Sequence, residues 1–214
     1  MKIGVLGSGN VGRTIAGKLI LDGHDVMVGT RDPAKLADWL AGEGEGGRAG
    51  SPAETAAHGE LLFNATPGSA SIEALRAAGA ANIAGKILID LANPLDFSQG
   101  MPPSLTVCNT DSLGERIQAA FPEARVVKAL NTVNLSIMVD PQGVANGDHH
   151  LFVCGNDEQA KAAVTTLLRD EFGWTHIIDL GDITNARGTE MYLAIWIRLM
   201  NALGTARFNI RVTR

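Results

Sequence analysis

Residues 2–12 read KIGVLGSGNVG, and this stretch decides which fold the sequence predicts. Lys2–Leu6 is a short apolar run that ends at a glycine, which is typical of a buried strand. Apolar residues then recur at helical spacing at Val11, Ile15 and Leu19. The glycines between the two segments follow the pattern G-x-G-x-x-G, which indicates the first βα turn of a dinucleotide-binding unit when a strand precedes it and a helix follows.

The turn itself predicts a pyrophosphate site made of Gly7, Ser8, Gly9, Asn10, Val11 and Gly12. Its first glycine permits a tight turn, its second lets the backbone approach the pyrophosphate, and its third lets the helix pack closely on the strand. The helix N-terminus adds unpaired N–H groups and a partial positive charge. The alternative is a glycine-rich turn without a ligand, and the flanking strand and helix favour the nucleotide.

The end of the second strand predicts which nucleotide binds. NAD sites usually carry an acidic residue about 20 residues past the glycines, where it accepts hydrogen bonds from the ribose hydroxyls. Thr30 and Arg31 stand there instead, and Lys35 follows four residues later. A hydroxyl beside a guanidinium suits a 2′-phosphate, so the sequence predicts a preference for NADP. In the alternative, Arg31 pairs with Asp32 and Lys35 is solvated, or Asp32 caps the next helix.

Strands and helices alternate along the rest of the chain. We expect strands at 2–6, 25–28, 61–65, 87–90, 125–129, 151–154 and 175–180, and helices at 11–21, 33–41, 51–58, 71–78, 112–121, 157–172 and 189–206, with a flexible glycine-rich loop at 42–50. Alternation of this kind predicts an α/β fold, a Rossmann-type doubly wound and mainly parallel sheet with an apolar C-terminal helix. We expect residues 1–214 to form a single NADP-binding domain, with 187–214 as a C-terminal helical extension.

Three of these strands are followed by small, amide or hydroxyl residues. These are Ala65, Thr66 and Pro67 after one strand, Asn93 after the next, and Asn131, Thr132 and Val133 after a third. Ligands of open α/β sheets bind at the carboxyl ends of the strands, so these residues are candidates to line the nicotinamide. Asn, Thr and Pro also favour ordinary turns, which is the competing explanation.

Composition excludes several classes of function. There are 18 basic and 23 acidic residues, a net charge of −5, which argues against nucleic-acid binding because phosphates require a basic surface. Two cysteines make no disulfide framework, and no apolar stretch is long enough to span a membrane, so we expect a cytoplasmic protein.

We expect Cys108 and Cys154 to be small packing residues. The five histidines show no metal-ligand spacing, the adjacent His149 and His150 would face opposite ways, and no catalytic acid–base pair is evident.

The order GSGNVG, VGTR, ATP, KALNTV, HLFVCGND and an apolar C-terminal segment from Gly181 resembles the NADPH:coenzyme F-420 oxidoreductases over essentially the whole chain. The resemblance implies NADP(H) and coenzyme F-420 (8-hydroxy-5-deazaflavin) in one small domain, with direct hydride transfer between their rings. It implies phosphate contacts from residues 8–11, 2′-phosphate contacts from Thr30, Arg31 and Lys35, ring contacts from Ala65, Thr66, Asn131 and Val133, and a homodimer built partly on the last helix.

Two other functions remain open at this point. One is reduction of a small imine or carbonyl by NADPH, a class that normally has a larger separate helical domain. The other is a non-catalytic module that senses NADP. In both enzymatic alternatives the hydride acceptor is a small molecule.

The last helix is apolar nearly all round, which predicts that it is buried, either against a partner subunit or within the chain.

Overall fold

The computed structural model describes residues 1–214 and contains ten strands. They are β1 (Lys2–Leu6), β2 (Asp25–Gly29), β3 (Arg48–Gly50), β4 (Leu61–Asn64), β5 (Ile87–Asp90), β6 (Leu95–Asp96), β7 (Ser104–Leu105), β8 (Arg125–Ala129), β9 (Leu151–Gly155) and β10 (Ile177–Asp179). Eight of them form one sheet in the order β10-β9-β8-β5-β4-β1-β2-β3, and β6 pairs with β7 in a separate hairpin. The expected doubly wound, mainly parallel sheet is therefore confirmed.

The strand order places the crevice of the sheet between β1 and β4. All neighbouring pairs from β3 to β8 are parallel, so the carboxyl ends of β1, β4, β5 and β8 meet at one edge. Strand order reverses at β1, and ligands of such sheets bind outside the carboxyl ends at this switch point. Strand β9 is antiparallel to β8 and so ends at the opposite edge.

Helices cover both faces of the sheet. They are α1 (Asn10–Leu21), α2 (Ala37–Leu40), α3 (Pro52–His58), α4 (Ser71–Ala78), α5 (Ala80–Ile83), α6 (Leu113–Ala120), α7 (Leu135–Val139), α8 (Glu158–Asp170), α9 (Ala186–Met191) and α10 (Leu193–Leu203). Single 3-10 turns lie at Pro33–Leu36, Gly68–Ala70, Pro141–Gly143, Ala145–Gly147 and Ile183–Asn185.

Two apolar layers hold the sheet between the helices. One contains Ile15 and Leu19 of α1 together with Leu168 of α8. The other contains Leu75 of α4 and Ile117 of α6. Each of these side chains is fully buried, as expected for a sheet whose strands are apolar on both faces.

The segment 42–50 is not the flexible loop that its composition predicts. Its last three residues form β3, which pairs in parallel with β2 at the sheet edge. A Cβ atom at Gly44 would lie 2.5 Å from the Trp39 ring, and one at Gly47 would lie 2.6 Å from Ile20. These glycines permit close packing rather than flexibility, and local composition does not distinguish the two roles.

The prediction of one helix at 189–206 is also wrong. The chain forms α9 and then α10, with Tyr192 between them, and no proline or glycine marks the break. Gly204, at φ 65°, ends α10 two residues before the predicted end. Only Leu193 and Ile197 of α10 are buried, whereas Ile195 is 49% and Leu203 56% exposed in this chain.

Candidate functional site

The glycine turn between β1 and α1 has three different steric environments. Gly7 has a φ of +116°, and a Cβ there would lie 2.5 Å from the Ala65 carbonyl oxygen. A Cβ at Gly12 would lie 1.9 Å from the Gly7 carbonyl oxygen, so the helix could not pack against the turn. A Cβ at Gly9 would meet nothing within 4 Å. Gly9 therefore borders open space, as a backbone that approaches a pyrophosphate must.

The N-terminus of α1 carries no acceptor of its own. Gly9 is the N-cap and has no side chain, and no acidic residue occurs in the first turn. The first backbone N–H groups of a helix have no partner within it, and they carry the positive end of the helix dipole. An open, uncapped, positive helix end next to the crevice fits the pyrophosphate of a dinucleotide.

Thr30 brings the end of β2 against the glycine turn. The Ser8 hydroxyl donates to Thr30 Oγ1 at 3.1 Å, and the Asp32 backbone N–H donates to the same oxygen at 3.3 Å. Arg31 is exposed and makes no ion pair or side-chain hydrogen bond, so the alternative Arg31–Asp32 pair does not form. Asp32 instead lies 3.8 Å from Lys35, and its side chain does not cap the following turn.

Thr66 and its neighbours form a polar cluster beyond β4. The Thr66 hydroxyl donates to Asn64 Oδ1 at 2.6 Å and lies 2.8 Å from the Ser71 hydroxyl. Asn64 and Ser71 are fully buried, Ala65 and Thr66 are half-buried, and Pro67 is exposed. Thr66 is therefore the accessible end of a buried hydrogen-bonded group.

Two asparagines join the ends of β5 and β8. Asn93 donates to the Asn131 carbonyl oxygen at 2.8 Å, and Asn131 donates to Asn93 Oδ1 at 3.0 Å and to the Thr189 carbonyl oxygen at 3.1 Å. Leu130, in the left-handed region at φ 62°, turns the chain just before Asn131. Asn93 is half-buried, whereas Asn131, Thr132 and Val133 are at most 6% exposed. The Asn131 amide hydrogens thus bind the protein itself, which leaves Oδ1 for any ligand.

Beneath this edge lie three buried charged side chains, Asp90, Lys128 and Glu190, which we call the buried ion cluster. Lys128 Nζ lies 2.8 Å from Asp90 Oδ2 and 2.7 Å from Glu190 Oε1, and all three side chains are at most 1% exposed. Burial lowers the pKa of Lys128, but the Asp90 and Glu190 carboxylates outweigh it and hold the pKa above its usual range. Lys128 is therefore charged.

This cluster is not predicted from the sequence, although each of its members stands in a sequence context that is unusual for a charged residue. Lys128 lies in the apolar run RVVKA, Asp90 ends the apolar run ILID, and Glu190 lies inside an apolar helical segment. A charged residue in such a run is rarely buried unless it is paired. Which of these charged residues pair with one another cannot be predicted from the sequence, because the partners lie in different strands and helices.

The cysteines and histidines lie elsewhere. Cys154 is buried, and burial raises the pKa of its thiol to about 12, whereas Cys108 is exposed, so the prediction that both are packing residues is wrong for Cys108. His149 is buried edge-on against Trp174, and His150 faces His176 at the other side. No group of three His, Cys, Asp or Glu side chains is placed to hold a metal ion, and no helix has the length and hydropathy of a membrane span.

Comparisons with known proteins include a family model, a curated enzyme and a crystal structure of the same description. A family model described as NADP oxidoreductase, coenzyme F-420-dependent, matches residues 2–94. A crystal structure from Arthrobacter sp. FB24, provisionally assigned as an F-420-dependent NADP reductase, is 59% identical with a TM-score of 0.97, over 100% of both chains. The F-420-dependent NADP reductase of Methanothermobacter marburgensis is 28% identical and covers 100% of this chain and 98% of its own.

Other matches share only part of their length with this chain. The metalloreductase STEAP3 of Rattus norvegicus is 29% identical over 93% of this chain, which spans 37% of that protein. A reductive aminase from Aspergillus terreus matches with a TM-score of 0.66 at 19% identity, and this chain spans 62% of its length. At that identity the likeness shows a common fold only.

Proposed function

Because the chain belongs to the family of coenzyme F-420-dependent NADP oxidoreductases, we propose that it transfers a hydride between NADPH and a deazaflavin, coenzyme F-420, or a similar flavin-like ring. The assignment of the nucleotide rests on the open helix end at Gly9, on the Ser8–Thr30 hydrogen bond that joins the end of β2 to this turn, and on the unpaired guanidinium of Arg31, which follows Thr30. The proposal for the hydride acceptor rests on the F-420-dependent NADP reductases to which the chain is similar.

The glycine turn and the end of β2 would bind the two ends of the adenine half of NADP. The first-turn N–H groups of α1 would donate to the pyrophosphate. Ser8 already donates to Thr30, which holds the Thr30 hydroxyl beside the turn. Thr30 and Arg31 would then bind the 2′-phosphate, with Lys35 as a further cation. Lys35 is 80% exposed and 3.8 Å from Asp32, so it can reorient at little cost.

The nicotinamide would lie over the carboxyl ends of β4, β5 and β8. Ala65 and Thr66 are accessible there, Asn93 is half-buried, and Asn131 offers Oδ1. When bound, the nicotinamide supplies the hydride and the second ring accepts it, so the protein needs to supply orientation rather than an acid–base pair. The reciprocal Asn93–Asn131 bonds fix the edge on which the ring would rest, and fixed geometry contributes most where two rings must meet closely.

The test is the decay of NADPH absorbance with purified protein and one acceptor at a time: coenzyme F-420, FMN and riboflavin. We expect NADPH oxidation with coenzyme F-420 at a rate well above that with FMN or riboflavin. If NADPH is oxidised with FMN or riboflavin but not with coenzyme F-420, the acceptor is a flavin and not the deazaflavin. NADPH binding without turnover of any acceptor would instead support the sensing module and contradict the proposal.

Reduction of an imine or carbonyl receives less support. The reductive aminases and imine reductases that share the fold are 19% identical, and this chain spans 62% of their length, so the likeness shows the fold alone.

We also propose that the chain forms a homodimer through α10 and acts in the cytoplasm. Ile195 and Leu203 expose apolar side chains on this helix, and a second copy is the simplest cover for them. The unpaired Cys108 and Cys154 fit a reducing compartment.

A further inference from the structure

The buried ion cluster carries a net charge of −1. Glu190 accepts from Lys128 and from the backbone N–H groups of Leu113 and Gly114, at 2.7 and 3.0 Å. All hydrogen-bond partners of the Asp90 carboxylate are likewise N–H donors. The geometry thus sets two carboxylates around a single ammonium group, that of Lys128. One ammonium and two carboxylates leave one uncompensated negative charge.

Helix α6 offsets only part of this charge. Leu113 and Gly114 are the first residues of α6, so Glu190 lies at the positive end of that helix dipole. The dipole is equivalent to about half an elementary charge at the helix end. The surroundings are otherwise dry, because all three side chains are at most 1% exposed. Salt and water therefore screen the remaining negative charge poorly.

The cluster is connected to the surface on which the nicotinamide would lie. Asn64, Asp90 and Lys128 are direct neighbours in the register of β4, β5 and β8. Asn64 donates to Asp90 Oδ1 at 2.8 Å and accepts from the Thr66 hydroxyl at 2.6 Å. One side-chain amide thus separates the charge from Thr66, a proposed ring contact.

We propose that the buried ion cluster stabilises NADP+ relative to NADPH and so makes the bound NADPH a stronger hydride donor. This inference rests on the proposed binding of NADP. In the proposed reaction a C–H bond of the dihydronicotinamide would break, and its hydride would form a new bond on the acceptor ring, which would thereby gain two electrons. The neutral dihydronicotinamide would become a cationic pyridinium ring. A fixed negative charge in a dry site favours that cation over the neutral ring.

The test compares the dissociation constants of NADP+ and NADPH for the wild type, Glu190→Gln and Glu190→Asp. Glu190→Gln removes the excess charge, and Glu190→Asp keeps it while it disturbs the geometry. At an effective dielectric near 20, one unit charge acting over roughly 15–20 Å changes an equilibrium about fivefold. We therefore expect the ratio Kd(NADP+)/Kd(NADPH) to rise at least about fivefold in Glu190→Gln. In Glu190→Asp it should stay within about twofold of the wild type, even if the protein is less stable.

Several outcomes would overturn the inference. An unchanged ratio in a folded Glu190→Gln protein contradicts it, and so does an equal change in Glu190→Asp, since that would be a structural effect. If Glu190→Gln does not fold by circular dichroism, Asp90→Asn removes the same charge and carries the same expectation. A wild type that binds neither nucleotide would instead refute the proposed function, which separates the two failures.

Discussion

Arg31 differs from Arg13, Asp32 and Lys35 around the glycine turn, because it is exposed and makes neither an ion pair nor a side-chain hydrogen bond. Lys35 and Asp32 face one another, and Arg13 donates to Asn10. We therefore propose the free guanidinium of Arg31, which follows Thr30 in the sequence, as the group that selects a 2′-phosphate.

Replacement of Arg31 by alanine should remove the preference for NADP. Hydrogen bonds to a charged group are worth about 1.5–3 kcal/mol, so we expect NADPH affinity to fall about 10- to 100-fold. NADH affinity should stay within about threefold. Fluorescence titration of both nucleotides measures this, with Arg76→Ala as the control, an exposed arginine at the far end of α4. Equal losses for NADPH and NADH would contradict the 2′-phosphate assignment.

The two thiols should differ in reactivity. Cys108 is exposed, whereas Cys154 is buried and burial raises its pKa to about 12, so little thiolate forms at neutral pH. A thiol reagent should label one cysteine in the native protein and both in urea. Cys108→Ser should abolish native labelling and Cys154→Ser should not. Rapid native labelling of Cys154 would contradict the burial.

Among the elements, helix α3 shows how far short-range patterns extend. Ser51 and Glu54, three residues apart in the sequence, form a reciprocal capping box, with the Ser51 N–H donating to Glu54 Oε2 at 2.8 Å. Both partners lie within one helical turn, so the sequence specifies the interaction. Edge strand β3 is the opposite case, since its three residues are ordered by pairing with β2.

The C-terminal segment after α10 is fastened by His150. The His150 backbone N–H donates to the Ile210 carbonyl oxygen at 2.9 Å, and the Val212 N–H donates to His150 Nδ1 at 3.2 Å. Nδ1 must therefore be unprotonated. Burial, and next the neighbouring His176, hold the pKa of His150 below its usual value of 6.5.

Stability should consequently decrease as the pH falls through this region. A histidine with a lowered pKa in the folded state binds more protons when unfolded, so its contribution is present above about 6.5 and is lost as the pH falls through the lower folded pKa. The wild type should show a steeper loss of unfolding free energy between about pH 7 and 5 than His150→Gln. Urea unfolding at both pH values measures this, and equal slopes for the two proteins would contradict it.

For the whole molecule, the exposed side of α10 is the surface on which the proposed homodimer depends. Ile195 is 49% exposed on a helix that is otherwise strongly apolar. If a second copy covers it, Ile195→Glu should bury an unpaired charge and shift micromolar protein from dimer to monomer. Light scattering measures the mass, with Leu21→Glu as the control, an 84% exposed leucine at the end of α1. A monomeric wild type would refute the dimer.

The sequence by itself determined what depends on neighbours in the chain. The glycine turn, the capping box at Ser51 and the alternation of strands and helices are all short-range patterns, and they were sufficient for the sheet class and the family resemblance. They also placed Thr30 and Arg31 next to the turn, because the first βα unit has a regular length.

Only the tertiary structure decided which distant side chains meet. The Asn93–Asn131 pair and the buried ion cluster join residues of different strands and helices. The antiparallel direction of β9 and the order of 48–50 likewise depend on pairing with β8 and β2. A side chain's partners across a sheet follow from strand order and register, and neither is encoded in the local spacing of residues.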